Sequence, residues 1–192
     1  MPQWPLVICR AVLGDYETVR GLLDAAAQWL ECKSTDQWAA PWPDEKGFTK
    51  RVQAAIEAGR TWIARDGVQP AATLTASPND HGIWLAKQQN EPAVYIGRLV
   101  VSRQYSGHGL GGQLLDWAGL RAKREYGAHW IRVDVWTTNT ELHDYYRDQG
   151  FEFCGLSPVP DYPSAALFQK AVDQIKPPEA QLFREDQGSG PG

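Results

Sequence analysis

Between Leu99 and Gly112 the chain reads Leu-Val-Val-Ser-Arg-Gln-Tyr-Ser-Gly-His-Gly-Leu-Gly-Gly, an apolar run that stops at a polar turn and passes through closely spaced glycines. Gly107, Gly109, Gly111 and Gly112 keep side chains away where backbone N–H groups must approach a ligand. A helix starting near Leu110 would point its partly positive N-terminus the same way. That combination suits a phosphate, although a glycine-rich turn can also exist without a ligand.

Two classes of ligand use such a turn. Gly107-x-Gly109-x-x-Gly112 fits the dinucleotide fingerprint, with Asp134 at a suitable distance for a ribose-binding acid. Position speaks against it, because a dinucleotide fold opens on its fingerprint and here about a hundred residues come first. Gln104-x-x-Gly107-x-Gly109 resembles instead the acetyl-coenzyme A signature of the GNAT superfamily of N-acetyltransferases: Gln or Arg, two residues, Gly, one residue, Gly or Ala. Asn139, followed by Tyr145-Tyr146-Arg147-Asp148-Gln149-Gly150-Phe151, resembles the second half of that pattern, an Asn ahead of a helix ending in Tyr-x-x-x-Gly-Phe. The resemblance is specific over residues 94 to 156 and holds, as element order, over residues 6 to 77.

The resemblance implies acetyl-CoA as co-substrate and transfer of its acetyl group to a primary amine by direct attack. It implies that the backbone of Leu99, Val100 and Val101 pairs with the pantetheine arm as an added strand would. It further places the pyrophosphate on the N–H groups of Gly107, His108, Gly109, Leu110, Gly111 and Gly112, with Gln104 and Arg103 alongside, and a cofactor contact at Asn139. Tyr146 matches the family's general acid for the departing sulfur, and a phenol with a pKa near ~10 stays protonated at neutral pH. A tyrosine on an apolar helix face also reads as core, and Thr138-x-x-Glu141 also fits a capping box that would leave Asn139 in the helix's first turn.

The general base is less defined. Many family members carry a carboxylate on the fourth strand, and Ala93 to Val101 has none. Asp134, set amid Val133, Val135 and Trp136, is the best substitute, because an acid there is costly to bury without a task or a partner. Its structural alternative is a salt bridge to Arg132 or Arg98, and Glu91 and His143 are further candidates. Trp38 and Trp42, in Trp38-Ala39-Ala40-Pro41-Trp42-Pro43, either cap a core or hold the acceptor, and an aromatic face attracts a cation by ~0.5–2 kcal/mol. The expected acceptor is a small cationic amine with an apolar or aromatic part. A protein terminus or lysine, and a coenzyme A-binding module without catalysis, are the competing readings.

The elements that must position these groups follow from periodicity. Leu6 to Arg10 reads as a first strand, and Val19, Leu22, Leu23, Ala26, Ala27 and Leu30 give a helix over 16 to 32, with Asp15 as its cap. A second helix runs from Phe48 to Gly59. Thr61 to Ala64 and Ala71 to Thr75 form a hairpin around Asp66-Gly67, whose residues supply positive φ angles. Ser77 to Pro92 is a loop with one helical turn. Ala93 to Val101 is the fourth strand, a helix extends from Leu110 to Gly127, Trp130 to Trp136 is a fifth strand, and a helix spans 139 to 149. Phe151 to Gly155 and Ala165 to Gln169 are the last two strands. The expected fold is α/β, or α+β by strict naming: a GNAT-like, mainly antiparallel mixed sheet of about seven strands with helices on both faces.

With 192 residues, 43% of them hydrophobic, the chain supports one core, read as a domain over residues 1–175 followed by a disordered tail over 176–192. A net charge of −4 gives no general attraction to nucleic acid or anionic lipid, so neither is an expected partner. Cys9, Cys32 and Cys154 read as buried free thiols of a reducing compartment, and metal-ligand spacing does not emerge. Met1-Pro2-Gln3-Trp4-Pro5 lacks the pattern of a signal peptide and no stretch reaches transmembrane length, so the expectation is a cytoplasmic protein, with a homodimer left open.

Overall fold

The computed structural model describes residues 4–33, 35–79 and 82–186. In chain order these form β1 (Leu6–Arg10), α1 (Tyr16–Glu31), α2 (Glu45–Glu57), β2 (Thr61–Asp66), β3 (Gln69–Ser77), the single turn α3 (Ala86–Gln89), β4 (Ala93–Val101), α4 (Leu110–Tyr126), β5 (Trp130–Val135), α5 (Thr140–Asp148), β6 (Glu152–Leu156), β7 (Ala166–Ala171) and β8 (Phe183–Glu185). All eight strands share one sheet in the order β6-β7-β5-β4-β3-β2-β1-β8. Its pairs are antiparallel except β4 with β5 and β1 with β8.

Side-chain alternation sorts the sheet into two faces. Trp62, Leu74, Ile96, Val133 and Phe168 point toward α4 and α5, where Leu110, Leu114, Leu115 and Ala118 of α4 complete the larger core. The opposite face carries Ile63 and Val100 under Val19, Leu22 and Leu23 of α1 and Val52 and Ile56 of α2. Each fully buried aliphatic side chain here removes apolar surface worth roughly 1.5–3 kcal/mol, so the pattern that makes each helix amphipathic also fixes its face of the sheet. Gly119 lets α4 lie close on β5, since an added Cβ would stand 2.5 Å from Ile131 Cδ1.

Some expectations change. The expected tail contributes an eighth strand over Phe183–Glu185, because Phe183 is buried and Glu185 is held by Trp117 and Arg121 of α4; residues 187–192 lie outside the described part. The β2–β3 turn uses a positive φ at Gly67 and none at Asp66. Asp15 stands at the start of α1 without capping it, its carboxylate accepting from Val12 N and from Arg65 instead. The three cysteines are free, but none is buried: Cys9 and Cys154 are half-buried and Cys32 is exposed.

Candidate active site

The site begins where two strands part. β4 and β5 pair in parallel from Ala93↔Trp130 to Ile96↔Val133 and no further. Beyond that point β4 stays with β3, through Thr73↔Val100 and Ala72↔Val101, while β5 stays with β7, through Asp134↔Leu167 and Val135↔Ala166. The register on β4 slips between Gly97 and Val100, where Arg98 takes a φ of 51°. Such a bulge bends its strand, and the backbone edge of Leu99–Val101 is left open toward β5. An extended chain can lie along such an edge.

The glycine turn follows directly. Gly107 and Gly109 have φ values of 80° and 77°, left-handed conformations that disfavour other residues. Gly109 caps α4, whose first internal bond is Gln113 N to Gly109 O, so the N–H groups of Leu110, Gly111 and Gly112 have no intrahelical partner. Gly111 and Gly112 have a different reason for being glycine than ligand approach. A Cβ on Gly111 would lie 2.7 Å from the Tyr145 hydroxyl, and one on Gly112 would strike the Gln149 amide, so α5 packs over both. Leu110 is buried in the core, and Gln104 is exposed on the turn before the glycines. The exposed His108 sets its ring edge-on to Trp4 at 5.5 Å, and the Arg103 guanidinium stacks 4.2 Å over Trp29.

Tyr146 projects from α5 into the larger core, between Tyr145, Phe151 and Phe168. Burial first, and the charge of Asp134 among the lesser causes, push its pKa above the ordinary phenol range. Its hydroxyl hydrogen-bonds to none of the described residues. Tyr145, pushed up to about 12 mainly by burial, lies against Gly111 and next to Val101 instead. Asn139 is itself the cap of α5: its Oδ1 accepts from Leu142 N at 3.0 Å, in place of the Thr138 capping box. Its Nδ2 donates to Gln37 at 2.6 Å, so its amide is committed within the protein.

Asp134 lies on the other face of the sheet, the face of α1 and α2. Tyr162, from the β6–β7 connection, donates to its Oδ2 at 2.5 Å. The charge of Asp134 also reaches Arg98 and Arg51, whereas Arg132, the other arginine expected as its partner, is paired with Glu91. Glu91 precedes β4 at its far end, which removes it as a base at the opening. His143 contacts the Trp136 carbonyl through Nε2 at 2.9 Å and tilts against Phe168.

Above Asp134, the segment between α1 and α2 is tied down. Asp36 accepts hydrogen bonds from Trp136 Nε1 at 2.8 Å and from Thr138, which hold its carboxyl below the usual range. Trp38 packs on the smaller core. Trp42 sits edge-on to Tyr162 at 5.2 Å, and the Arg51 guanidinium already covers its face at 4.9 Å. The face expected to receive a cationic acceptor is therefore occupied by the protein's own cation. Tyr162, Arg51 and Gln37 are the site residues that sequence reasoning missed; none stands in a motif or at a telling spacing.

Residues 23–151 match the family model described as the acetyltransferase (GNAT) family. An uncharacterized N-acetyltransferase of Bacillus subtilis, YesJ, is 31% identical over 173 residues, covering 85% of this chain and 89% of the relative. Among solved structures, a GNAT-family acetyltransferase from Listeria monocytogenes superposes with a TM-score of 0.69 at 23% identity, over 86% of this chain and 94% of that one. YncA of Salmonella typhimurium, a putative acetyltransferase solved with acetyl-CoA, gives 0.59 at 17% identity, over 91% of this chain and 98% of that one. No helix among the described residues is long and apolar enough to cross a membrane.

Proposed function

The chain belongs to the GNAT family of acetyltransferases and is an acetyl-CoA-dependent N-acetyltransferase; on that premise we propose that its acceptor is the primary amine of a small molecule. In this reading Asp134 accepts the amine's proton and Tyr146 supplies one to the departing sulfur. The observation that carries it is the arrangement of these two residues. Asp134 stands one residue past the last β4–β5 pair, on the face opposite the core that holds Tyr146, and its charge reaches the Tyr146 phenol.

The open edge of Leu99–Val101 and the left-handed turn at Gly107 and Gly109 ahead of α4 fit the pantetheine and pyrophosphate of the co-substrate. When bound, acetyl-CoA supplies the activated acetyl group. The chain's own contribution is to place and protonate. Tyr146 Oη, held protonated by burial, is the donor this reading assigns to the departing sulfur. The same desolvation that makes the phenol reluctant to ionise also raises the proton affinity of a thiolate formed beside it. Asp134, oriented by Tyr162, faces the acceptor side and can draw a proton from an ammonium group.

The preference for a small molecule rests on the pinned segment between α1 and α2. Asp36 and Gln37 fasten it to Trp136, Thr138 and Asn139, which narrows the approach to Asp134 for a folded or extended polypeptide. Mass-shift screening of an amine library with acetyl-CoA tests this. Acetylation of small amines at kcat/KM above that for peptide amines is expected; acetylation of peptides alone would overturn it.

A further inference from the structure

Arg98 and Arg51 converge on the acceptor face without a carboxylate of their own among the described residues. Arg98 occupies the β4 bulge at a positive φ, a conformation that is rare and strained outside glycine. The bulge delivers its side chain to the α1 and α2 face, where Nε donates to Thr75 Oγ1 at 3.3 Å, and Thr75 is shared with Thr61 at 3.3 Å. Arg51 comes from α2, lies over Trp42 and donates to the Trp42 carbonyl. Neither guanidinium forms an ion pair with a carboxylate among the described residues, although the surface and core hold ten such pairs between other groups.

Among the described residues the charges do not balance. Arg98 and Arg51 repel one another, and Asp134 is the carboxylate whose charge acts on both. Desolvation pushes the Arg98 pKa down to about 10, the direction expected of a cation short of an anion. Burying a guanidinium without one is costly, and its planar fork is the group best matched to a carboxylate.

We propose that the acceptor carries a carboxylate as well as its amine, as a free α-amino acid does, with the carboxylate between Arg98 and Arg51 and the ammonium toward Asp134. The two arginines and one acid then match a zwitterion: one anionic group for the pair of cations, one cationic group for the carboxylate. Trp42 and Tyr162, stacked edge-on between Arg51 and Asp134, form the wall that joins the two halves. The inference rests on the reading that this face holds a small-molecule acceptor.

The experiment compares free amino acids with their α-carboxamides, which keep the amine and size but lose the negative charge. With acetyl-CoA and the full chain, the acids should exceed their amides in kcat/KM by ~30-fold or more, the scale of an unpaired buried charge contact. Arg51→Gln, at an exposed position of α2, should cut that ratio at least ~5-fold, with folding checked by its melting temperature. Arg98→Lys should do the same by removing the fork while keeping a cation. Amides accepted as well as the acids, or a ratio that neither variant moves, would overturn the proposal while leaving a small-amine acetyltransferase in place. Acetylation of neither these compounds nor any other small amine would overturn both.

Discussion

Tyr162 donates a hydrogen bond to Asp134 Oδ2 at 2.5 Å and thereby ties the acid on β5 to the β6–β7 connection. Burial and the adjacent carboxylate push the Tyr162 phenol far above its ordinary range, so it remains a donor at any working pH. A hydrogen bond received by a carboxylate favours its ionised form. Tyr162→Phe should therefore raise the pKa of Asp134 and move the acid limb of the kcat/KM profile to higher pH, with kcat at neutral pH reduced by about 10-fold. An acid limb that stays where it was would remove Asp134 as the proton acceptor.

The adjacent tyrosines of α5 should separate kinetically. Tyr146→Phe keeps the packing against Phe151 and Phe168 and loses the hydroxyl, so kcat should fall ~10²-fold with little change in coenzyme A affinity. Tyr145→Phe removes a hydroxyl lying against Gly111 and should act on KM for acetyl-CoA instead. Because burial raises the Tyr146 pKa, its protonated form persists through pH ~10, and the wild-type kcat should show no basic limb from it below that pH. A wild-type kcat in Tyr146→Phe would return that residue to the core.

Much of this was legible in the chain because apolar spacing and glycine punctuation act locally. The bounds of β1 and β4 agree residue for residue with the sequence reading, and the helix start at Leu110 follows from the glycines before it. The candidate site was legible only where a motif spans neighbouring residues, as at Gln104 to Gly112 and Tyr146 to Phe151, and those assignments stand as proposals. Tyr162 and Arg51 meet Asp134 across 28 and 83 residues of sequence, and nothing in Asp161-Tyr162-Pro163 marks a tyrosine aimed at an acid. Asn139 shows the reverse case: the motif residue is present, but its amide is spent on Leu142 N and Gln37.

The glycines divide into those that shape the turn proposed to hold the co-substrate and those that admit a neighbour. Gly107→Ala puts a Cβ at a φ of 80° in open space, so it should strain the turn by about 1 kcal/mol and raise KM for acetyl-CoA. Gly119→Ala forces a methyl to within 2.6 Å of Ile131 Cγ1 and should destabilise by about 1–3 kcal/mol with KM unchanged. Paired melting and kinetic measurements check this, and a stability loss in both with equal KM would deny Gly107 its place in the ligand turn.

The segment expected to be a loose tail should prove to be part of the folding unit. Phe183 pairs with Leu6 on β1 and packs edge-on to Trp117 at 6.1 Å, while Glu185 accepts from Trp117 Nε1 at 2.6 Å and from Arg121 at 2.9 Å. Gln113 adds bonds to Ala180 O and Leu182 N, so α4 grips this segment at two levels. Losing a buried aromatic typically costs about 3–5 kcal/mol, so Phe183→Ala should lower the urea midpoint clearly. Glu185→Gln keeps the shape and removes charge from a partly exposed network, and it should cost about 1 kcal/mol or less, shrinking further with added salt. Three strands separate β8 from β4 in the sheet, so neither substitution should change kcat in the protein that remains folded. An unmoved urea midpoint in Phe183→Ala would mean that the strand is not docked in solution and that the chain's packed core closes before residue 176.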